Sequence, residues 1–537
     1  MSGLLPRRMK FWGWGFEGES ATPEERAGVH RLAAQRFGVT TSDDTPPRED
    51  EFTLRPPRIA PPASLARFCS AARIDRLVHA YGKSFIDSVR IFERQVPEPP
   101  DLVAWPETER DVIDLLDWAA SNDVAVVPFG GGSSVVGGVE PVVGGAFKGV
   151  VSVNLQRLDK VLEVDKQSRA ARIQAGVLGP QLEAQLRPHG VTLRHFPQSF
   201  EYSSLGGWIA TRSGGHFATL YTHIDDFVQS VRMVTPQGVW DSFRLPGSGA
   251  GPSPDRLAIG SEGSLGVITE AWMRLQDRPR FRAGTSVTFD TFENAWGAVR
   301  AISQAGLYPS NLRLLDRVEA QTTGAGDGTR DVMVLAFESA DHDVAPWMAR
   351  ALECTRDHGG APDTGQLEAA GGHREGASGA WRNAFIRMPF FREILTPLGV
   401  LFDTFETSIT WDRFGDFHAK VMETLRDVMK RECGAGYIAS CRFTHVYPDG
   451  PAPYFSFYGK GRKGGMLEQF WAIKRACSDV LNQQGGTITH HHAVGRDHMP
   501  WYEKQRPALF GAALQGAKNA VDPKGVMNPG VIVPARR

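Results

Sequence analysis

Apolar residues recur along the chain with two different spacings, which predict helices alternating with strands. Val112, Leu115, Leu116 and Ala119 lie at i, i+3, i+4 and i+7, so residues 107–121 are predicted to form an amphipathic helix. The β-branched apolar run at 124–129 follows directly and predicts a buried strand. A shorter apolar run at 102–105 precedes the helix, so strand, helix and strand open an α/β unit near residue 96.

The same patterns divide the chain into four parts. Residues 1–95 are predicted to be an irregular leader with short helices such as 29–37, and residues 96–278 a glycine-dense unit of short strands. Residues 279–499 are predicted to be an α+β domain of longer helices and strands, and residues 500–537 a terminal helical segment. Further predicted strands lie at 230–234, 239–242, 267–275, 332–337, 436–447 and 454–458, and further predicted helices at 292–304, 411–432, 466–483 and 503–521.

Composition and charge exclude several classes of protein. Lys and Arg number 60 against 61 Asp and Glu, and a net charge of -1 gives no bulk attraction to nucleic acid or anionic membrane. The five cysteines are scattered without a C-x-x-C pair, so neither a disulfide framework nor a zinc site is expected. No signal peptide and no apolar run of about 20 residues is found, which predicts a cytoplasmic protein.

Three glycine- and serine-rich loops, at 128–134, 203–215 and 260–266, are the strongest candidates for chemistry. Glycines allow the backbone to approach a phosphate closely, and successive amide N–H groups form an anion-binding hollow. Each loop taken alone is also compatible with an ordinary tight turn, and neither a Walker loop nor the nicotinamide fingerprint is present. The ordered set of three, each beside a strand or a helix start, favours one long ligand with phosphates and flat rings.

The three loops resemble those of the vanillyl-alcohol-oxidase, or PCMH-type, FAD-binding flavoproteins. The resemblance implies an α+β fold, with a two-subdomain FAD-binding domain, a cap domain built on an antiparallel sheet that binds substrate, and a helical leader. FAD is expected to be bound non-covalently, because the first loop has no histidine to attach it. The resemblance assigns FAD contacts to Pro128, Phe129, Gly130, Gly131, Gly132, Ser133, Ser134, Pro197, Gln198, Ser199, Phe200, Glu201, Tyr202, Ser203, Thr211, Arg212, Ser213, Gly260, Ser261, Glu262, Gly263, Ser264, Leu265 and Gly266.

Further motifs, which extend from Met9 to about Val531, resemble the alkyldihydroxyacetonephosphate synthases within that family. The motifs are MKFWGWG (9–15), NLRLLD (311–316), FFRE (391–394), TFETSITWDR (404–413), CRFTHVY (441–447), APYFSF (452–457), THHHAVG (489–495) and DPKGVMNPG (522–530). The resemblance implies that the acyl group of acyl-dihydroxyacetonephosphate is exchanged for a fatty alcohol, through a flavin N5 adduct and without net redox change. The product would be an ether lipid precursor. One departure is Ala493, where the family commonly has glycine.

The resemblance also assigns roles to single residues. Tyr454 matches a tyrosine that accepts and donates a proton, and a phenol with a pKa of about 10 needs nearby positive charge to act as a base. Arg392 matches an arginine that anchors the substrate phosphate, and Arg313 one near the flavin. Without the resemblance, each would be interpreted as a structural tyrosine or a surface arginine.

His490, His491 and His492 match an active-site histidine run. If this segment is a strand, its side chains alternate, so that His490 and His492 share one face. They could polarise Tyr454 or bind phosphate, and His445 is a weaker candidate for the same site. The alternatives are a metal pair at i, i+2 spacing and a strand without chemistry. No resident metal is predicted.

Two other functions compete with this interpretation. An FAD-dependent 2-hydroxyacid dehydrogenase or oxidase typically carries Glu-His-Gly where this chain has His491, His492 and Ala493. A flavin-storing or peptide-binding protein would not need the tyrosine, arginines and histidines. A lipid substrate predicts an apolar tunnel, which the aromatic clusters at 11–16 and 385–391 could border. Contact with a membrane surface and a homodimer are further hypotheses.

Overall fold

The computed structural model describes residues 7–39, 45–217, 222–363, 365 and 376–535. The leader contains the helices α1 (Pro23–Phe37), α2 (Arg73–Val78) and α3 (Phe85–Phe92). Helix α1 begins at a capping box, in which Thr22 accepts a hydrogen bond from the backbone N–H of Glu25, and ends at Gly38 with φ 63°. The leader reaches the cap domain through a buried ion pair between Lys10 and Glu393, 2.8 Å apart.

The first half of the predicted FAD-binding domain is a small sheet with one covering helix, α4 (Glu109–Asn122). Its strands are β1 (Cys69–Ser70), β2 (Leu102–Ala104), β3 (Val124–Phe129) and β4 (Gly149–Asn154), in the order β1-β2-β4-β3. Strands β2, β4 and β3 are parallel. The face of α4 predicted to be apolar is buried, and β3 runs directly into the first glycine loop. Strand β1 extends this sheet to a point before residue 96.

The second half is an antiparallel layer. Its strands are β5 (Val161–Asp165), β6 (Ala170–Gln174), β7 (Val191–Thr192), β8 (Val228–Thr235), β9 (Gly238–Asp241), β10 (Val267–Arg274) and β11 (Gln276–Asp277). Five of them pair in the order β5-β6-β10-β8-β9, and β11 pairs with β7. The helices are α5 (Gly179–Leu186), α6 (Leu205–Thr211) and α7 (Asp255–Ala258). The strands predicted at 230–234 and 239–242 are present as the antiparallel pair β8 and β9.

The cap domain is one antiparallel sheet with helices packed against it, which confirms the predicted α+β class. Its strands are β12 (Phe281–Phe289), β13 (Asn311–Leu315), β14 (Asp331–Ser339), β15 (Ala361–Pro362), β16 (Val400–Glu406), β17 (Ile438–Val446) and β18 (Pro451–Lys460), in the order β15-β12-β14-β13-β17-β18-β16. Its helices are α8 (Phe292–Gln304), α9 (Arg317–Thr323), α10 (Ala345–Asp357), α11 (Gly376–Leu395), α12 (Trp411–Cys433) and α13 (Met466–Gln483). Apolar faces of α8, α12 and α13 form the largest core cluster with this sheet.

The terminal segment contains two helices, α14 (Met499–Gln505) and α15 (Ala508–Val521), where the sequence predicts one at 503–521. The break falls at Pro507, whose ring cannot continue a helix and whose nitrogen has no hydrogen to donate. The segment then returns to the FAD-binding domain. Val126 donates its backbone N–H to Val526 at 2.8 Å, and Asn528 donates to Val126 at 2.8 Å. No helix in the described ranges is long and apolar enough to cross a bilayer.

Candidate active site

The three glycine loops and the cap sheet enclose one cavity of about 310 Å³. All seven residues of 128–134 line it, and so do Tyr454, His491 and His492 from the opposite side. The structure thus brings together the two groups of residues that the sequence separates by more than three hundred positions.

The first loop presents unpaired donors to this cavity. Within the described part of the chain, the backbone N–H groups of 130–134 have no protein acceptor. The loop packs so closely against the second loop that a Cβ at Gly131 would lie 1.5 Å from the carbonyl oxygen of Tyr202. Five successive donors beside a cavity fit the pyrophosphate of a dinucleotide.

The second and third loops line the cavity only in part. Their predicted residues that do so are Pro197, Gln198, Ser199, Ser203, Thr211, Ser213, Glu262, Gly263 and Gly266. The other eight predicted contacts lie outside the lining: Phe200, Glu201, Tyr202, Arg212, Gly260, Ser261, Ser264 and Leu265.

Three of these eight residues contact other parts of the protein. The Phe200 ring stacks on Trp208, and the Tyr202 hydroxyl donates to Glu19 at 2.9 Å. Arg212 pairs with Asp225 at 2.8 Å, away from the cavity. A sequence pattern identifies a loop but does not say which of its side chains point outward, so FAD contact at these eight positions remains a prediction.

Glu262 connects the third loop to the segment after the histidines. Its carboxylate accepts the backbone N–H groups of Val494 and Gly495, both at 2.8 Å. Burial raises the pKa of Glu262 to about 7. Ala493, next to these donors, has φ 74°, a left-handed conformation that favours glycine and accounts for the glycine common in the resembling family.

One rung of the cap sheet carries three charged or polar side chains. Tyr454 on β18 is paired with Arg442 on β17 and with Glu406 on β16. Paired residues of an antiparallel sheet project from the same face, so the three side chains lie in a row. All three residues are buried, Tyr454 to 5% exposure.

The surroundings of Tyr454 supply the positive charge that a phenol needs nearby to act as a base. The Arg442 guanidinium carbon lies 3.9 Å from the centre of the Tyr454 ring, and Thr404 shares a 2.8 Å hydrogen bond with the phenol. Burial raises the pKa of Tyr454, whereas the charge of Arg442 and the bond from Thr404 act to lower it. Arg442 is itself held by an ion pair with the buried Glu319.

The histidine run is not a strand, so the alternation expected of a strand does not apply. The backbone bends at 490–492, and all three rings lie near Glu406. His491 and His492 face Tyr454, with ring centres 6.0 Å and 5.3 Å away. His490 turns aside, and its Nε2 lies 2.6 Å from the Tyr447 hydroxyl and 3.2 Å from Nε2 of His223. Burial lowers the pKa of His492 to about 3.

The histidines that lie close enough to share a metal ion differ from the i, i+2 pair named as an alternative. Ring nitrogens of His445, His490 and His491 lie within 4.8 Å of one another. Nε2 of His445 is already 2.9 Å from the carbonyl oxygen of Gly215. The rings are therefore held by hydrogen bonds to the protein.

The two predicted arginines both line the cavity. Arg392 pairs with Asp403 at 3.0 Å and donates to the carbonyl oxygen of Lys83 at 2.7 Å. Arg313 is 1% exposed, and its Nε and Nη1 atoms have no hydrogen-bond partner in the described residues. Burial, and then the charge of Arg442, lower the pKa of Arg313 to about 9. A buried guanidinium with unused donors fits an anionic ligand.

Several residues of the site were not predicted from the sequence. They are Lys83, Asp87, Thr404, Glu406, Arg442, Lys474 and Asp497. Thr404, Glu406 and Arg442 lie inside the motifs that carry the resemblance, and their membership of these motifs was the available signal. The others come from helices or turns whose inward faces only the packing defines.

Comparisons with known proteins agree with this geometry. Residues 100–242 match a family model described as an FAD binding domain, and residues 278–532 match one for the C-terminal domain of FAD linked oxidases. The fold and the cavity therefore define an FAD-dependent flavoenzyme, and FAD as its cofactor is confirmed.

Similarity to individual proteins identifies a narrower family within this class. The chain is 31% identical to alkyldihydroxyacetonephosphate synthase of Dictyostelium discoideum, over 86% of this chain and 78% of the relative, and 30% identical to that of Caenorhabditis elegans, over 86% and 80%. A solved alkyldihydroxyacetonephosphate synthase structure superposes with a TM-score of 0.79 at 25% identity, covering 97% of this chain and 98% of the other. The chain belongs to the alkyldihydroxyacetonephosphate synthase family.

Proposed function

We propose that this enzyme exchanges the acyl group of acyl-dihydroxyacetonephosphate for a fatty alcohol, forming an ether lipid precursor and a fatty acid. The observation that carries the proposal is the position of Tyr454. Tyr454 lines the cavity that the glycine loops enclose, with a guanidinium against its ring. Bound FAD supplies an electrophilic ring that can hold the substrate carbon during the exchange.

The bonds and protons of the proposed reaction balance without an external oxidant. The bond between the substrate carbon and the ester oxygen breaks, and the carboxylate leaves with both of its oxygens. The alcohol oxygen forms the new ether bond, and its proton neutralises the carboxylate. Tyr454 takes a proton from the carbon beside the ketone and later returns it, so the net redox change is zero.

The rest of the cavity suits the other parts of the substrate. Arg313 has two unused donors, and Arg392 presents a second guanidinium, so that both suit the phosphate. An apolar wall suits the hydrocarbon chain, and it consists of Phe11, Trp12, Trp14, Ile91, Phe385, Met388, Phe402 and Phe470. Both aromatic clusters considered for a tunnel, at 11–16 and 385–391, thus contribute to this wall.

The test is product formation by the purified holoenzyme. We expect acyl-dihydroxyacetonephosphate and labelled hexadecanol to give labelled ether product. Tyr454→Phe should lower the rate at least about 100-fold, because it removes only the proton-transferring oxygen, and it should retain bound FAD. Full activity of this variant would contradict the assignment of Tyr454.

The same preparation tests the rival oxidoreductase. A panel of 2-hydroxyacids is added without oxygen, and the flavin absorbance is followed. We expect no bleaching, because His491 stands where those enzymes typically carry glutamate. Rapid bleaching together with absent ether product would replace the proposal by a dehydrogenase.

Membrane contact and a homodimer belong to the same proposal as supporting hypotheses. A lipid substrate motivates the first, since the enzyme must withdraw acyl chains from a lipid phase. Sedimentation with phosphatidylcholine vesicles tests it, and light scattering of the purified chain tests the second. Absence of vesicle binding would remove the first hypothesis and leave the reaction unaffected.

A further inference from the structure

Glu406 ends strand β16 and gathers the whole histidine segment around one carboxylate. It accepts the backbone N–H of His490 at 2.7 Å, of His491 at 3.0 Å and of His492 at 2.9 Å. The hydroxyl of Thr489 donates to the same carboxylate at 2.6 Å. Four successive residues therefore point a donor at one buried side chain.

This arrangement determines where the imidazoles lie. Residues 489–492 belong to neither a helix nor a strand, so no ladder of hydrogen bonds fixes their backbone. A buried carboxylate must replace its lost hydration with donors, and four strong bonds make a single geometry preferred. Glu406 is also the rung neighbour of Tyr454, so the carboxylate sets the distance between the histidine rings and the phenol.

Charged and titratable groups face Glu406 from several elements. Burial acts to raise its pKa, but His491, followed by His492 and His490, holds it well below the usual range. Tyr454 and Tyr447 lie close enough for the carboxylate to raise their pKa values. His498 also interacts with it, and Lys474 acts on the neighbouring His492 and His498.

We propose that Glu406 is a positioning residue of the reaction, which folds 489–492 into the conformation that places His491 and His492 against Tyr454. This inference rests on the proposed function, because the reaction gives the placement its consequence. Glu406 does not line the cavity and is not assigned contact with substrate.

The first test replaces Glu406 in two ways. Glu406→Gln keeps the size but turns one acceptor into a donor that faces other donors. Glu406→Asp keeps the charge but withdraws it by one methylene. We expect both to lower kcat at least about 100-fold, because misplacement of catalytic groups by about 1 Å has that effect. KM for acyl-dihydroxyacetonephosphate and the bound FAD should change little.

The pH profile separates this role from a merely structural one. The negative charge of Glu406 raises the pKa of Tyr454, so removing it should lower that pKa. In Glu406→Gln the rise of kcat with pH should therefore move to lower pH, while in Glu406→Asp it should stay near its wild-type position. An unmoved profile with unchanged kcat in both variants would overturn the proposal.

Glu183→Gln is the matched control. Glu183 is also a buried carboxylate, and it accepts a threonine hydroxyl (Thr192, 2.8 Å) and a backbone N–H (Leu193, 3.0 Å) in the FAD-binding domain. It lies outside the cavity lining, so this exchange should cost stability but change kcat less than about threefold. An equal loss of kcat in the control would count against a specific role for Glu406.

Thr489→Val decides the question if Glu406→Gln fails to fold. It deletes one donor to the carboxylate and preserves the shape of the side chain. We expect kcat to fall about tenfold or more, because a hydrogen bond to a charged group is lost, with normal FAD content. Unchanged kcat would overturn the inference. Absent ether product in the wild-type enzyme would instead reject the proposed function.

Discussion

Tyr454 is subject to two opposing effects at the scale of a single residue. Removal from water disfavours the phenolate, and the guanidinium of Arg442, against the ring, favours it. The pKa of Tyr454 remains above its ordinary value, so the neutral phenol predominates at pH 7. The base is therefore a minor species, whose amount depends on Arg442.

Arg442→Gln should change the pH dependence of the reaction in a defined direction. Without the guanidinium the pKa of Tyr454 rises further, so the increase of kcat with pH should move upward by at least about one unit. The measurement is kcat for ether formation across pH 6 to 10. Arg442→Lys retains the charge and should move the profile less. Identical profiles in all three proteins would show that Arg442 does not act on Tyr454.

Single residues show clearly what the sequence could predict. Tyr454, Arg313 and Arg392 were predicted as site residues through motifs, and all three line the cavity. Arg442 could not be given a role from sequence, because its effect depends on the register between β17 and β18. Cross-strand register is set by packing of the sheet as a whole, which one strand's pattern does not contain.

At the scale of elements, helix α11 carries a proline in its interior. Pro389 has no N–H to donate to the carbonyl of Phe385 four residues earlier. The side-chain amide of Gln198, from the second glycine loop, donates to that carbonyl at 2.7 Å. The helix and the loop are thereby joined across the cavity by a bond that the proline makes available.

Gln198→Ala should lower the free energy of unfolding by about 1–2 kcal/mol, because it leaves a carbonyl without a partner. In a Pro389→Ala background the restored N–H satisfies Phe385, so the same change should cost less. A double-mutant cycle in urea measures the difference, and we expect a coupling of about 0.5–1.5 kcal/mol. Strictly additive costs would show that the two residues do not share this carbonyl.

The elements also show why some boundaries were missed. Strand β3 and helices α8 and α13 were predicted with their observed bounds. In these three elements the apolar pattern begins and ends at the same residues as the element itself. The predicted helix at 503–521 runs through Pro507. The apolar pattern favoured one continuous helix there, although proline breaks a helix. The conformation of 490–492 could not be predicted, because nothing in the local sequence reveals that a carboxylate on another strand bends this segment.

At the scale of the whole molecule, the terminal segment completes the cofactor domain. Asn528 donates its side-chain amide to the carbonyl oxygens of Gly138, at 3.0 Å, and of Glu262, at 2.7 Å. These carbonyls belong to the regions of the first and third glycine loops. One residue far along the chain therefore connects two of the loops that line the cavity.

Asn528→Ala should weaken FAD binding about tenfold or more, since two buried hydrogen bonds are together worth about 2 kcal/mol. Equilibrium dialysis of the flavin against the purified chain measures the dissociation constant. Asn122→Ala is the control, because it removes a bond from Asn122 to Trp118 on an exposed helix end. An unchanged affinity for FAD in the Asn528 variant would show that the loops hold their shape without it.

The chain-wide arrangement was only partly accessible from sequence. The class of fold and FAD as the cofactor were predicted from ordered motifs, and both are confirmed by the matched family models. The joining of the leader to the cap through Lys10 and Glu393 was not predicted. Contacts between segments hundreds of residues apart produce no periodic pattern in the local sequence, so such a pattern does not predict them.

The pairing of Met527 with Val126 has a consequence for biosynthesis. The strand that leads into the first glycine loop leaves the ribosome about 400 residues before the segment that completes its edge. During translation, strand β3 of the nascent FAD-binding domain therefore lacks the segment that pairs with its edge. Flavin loading is therefore expected to follow synthesis of the segment around Met527.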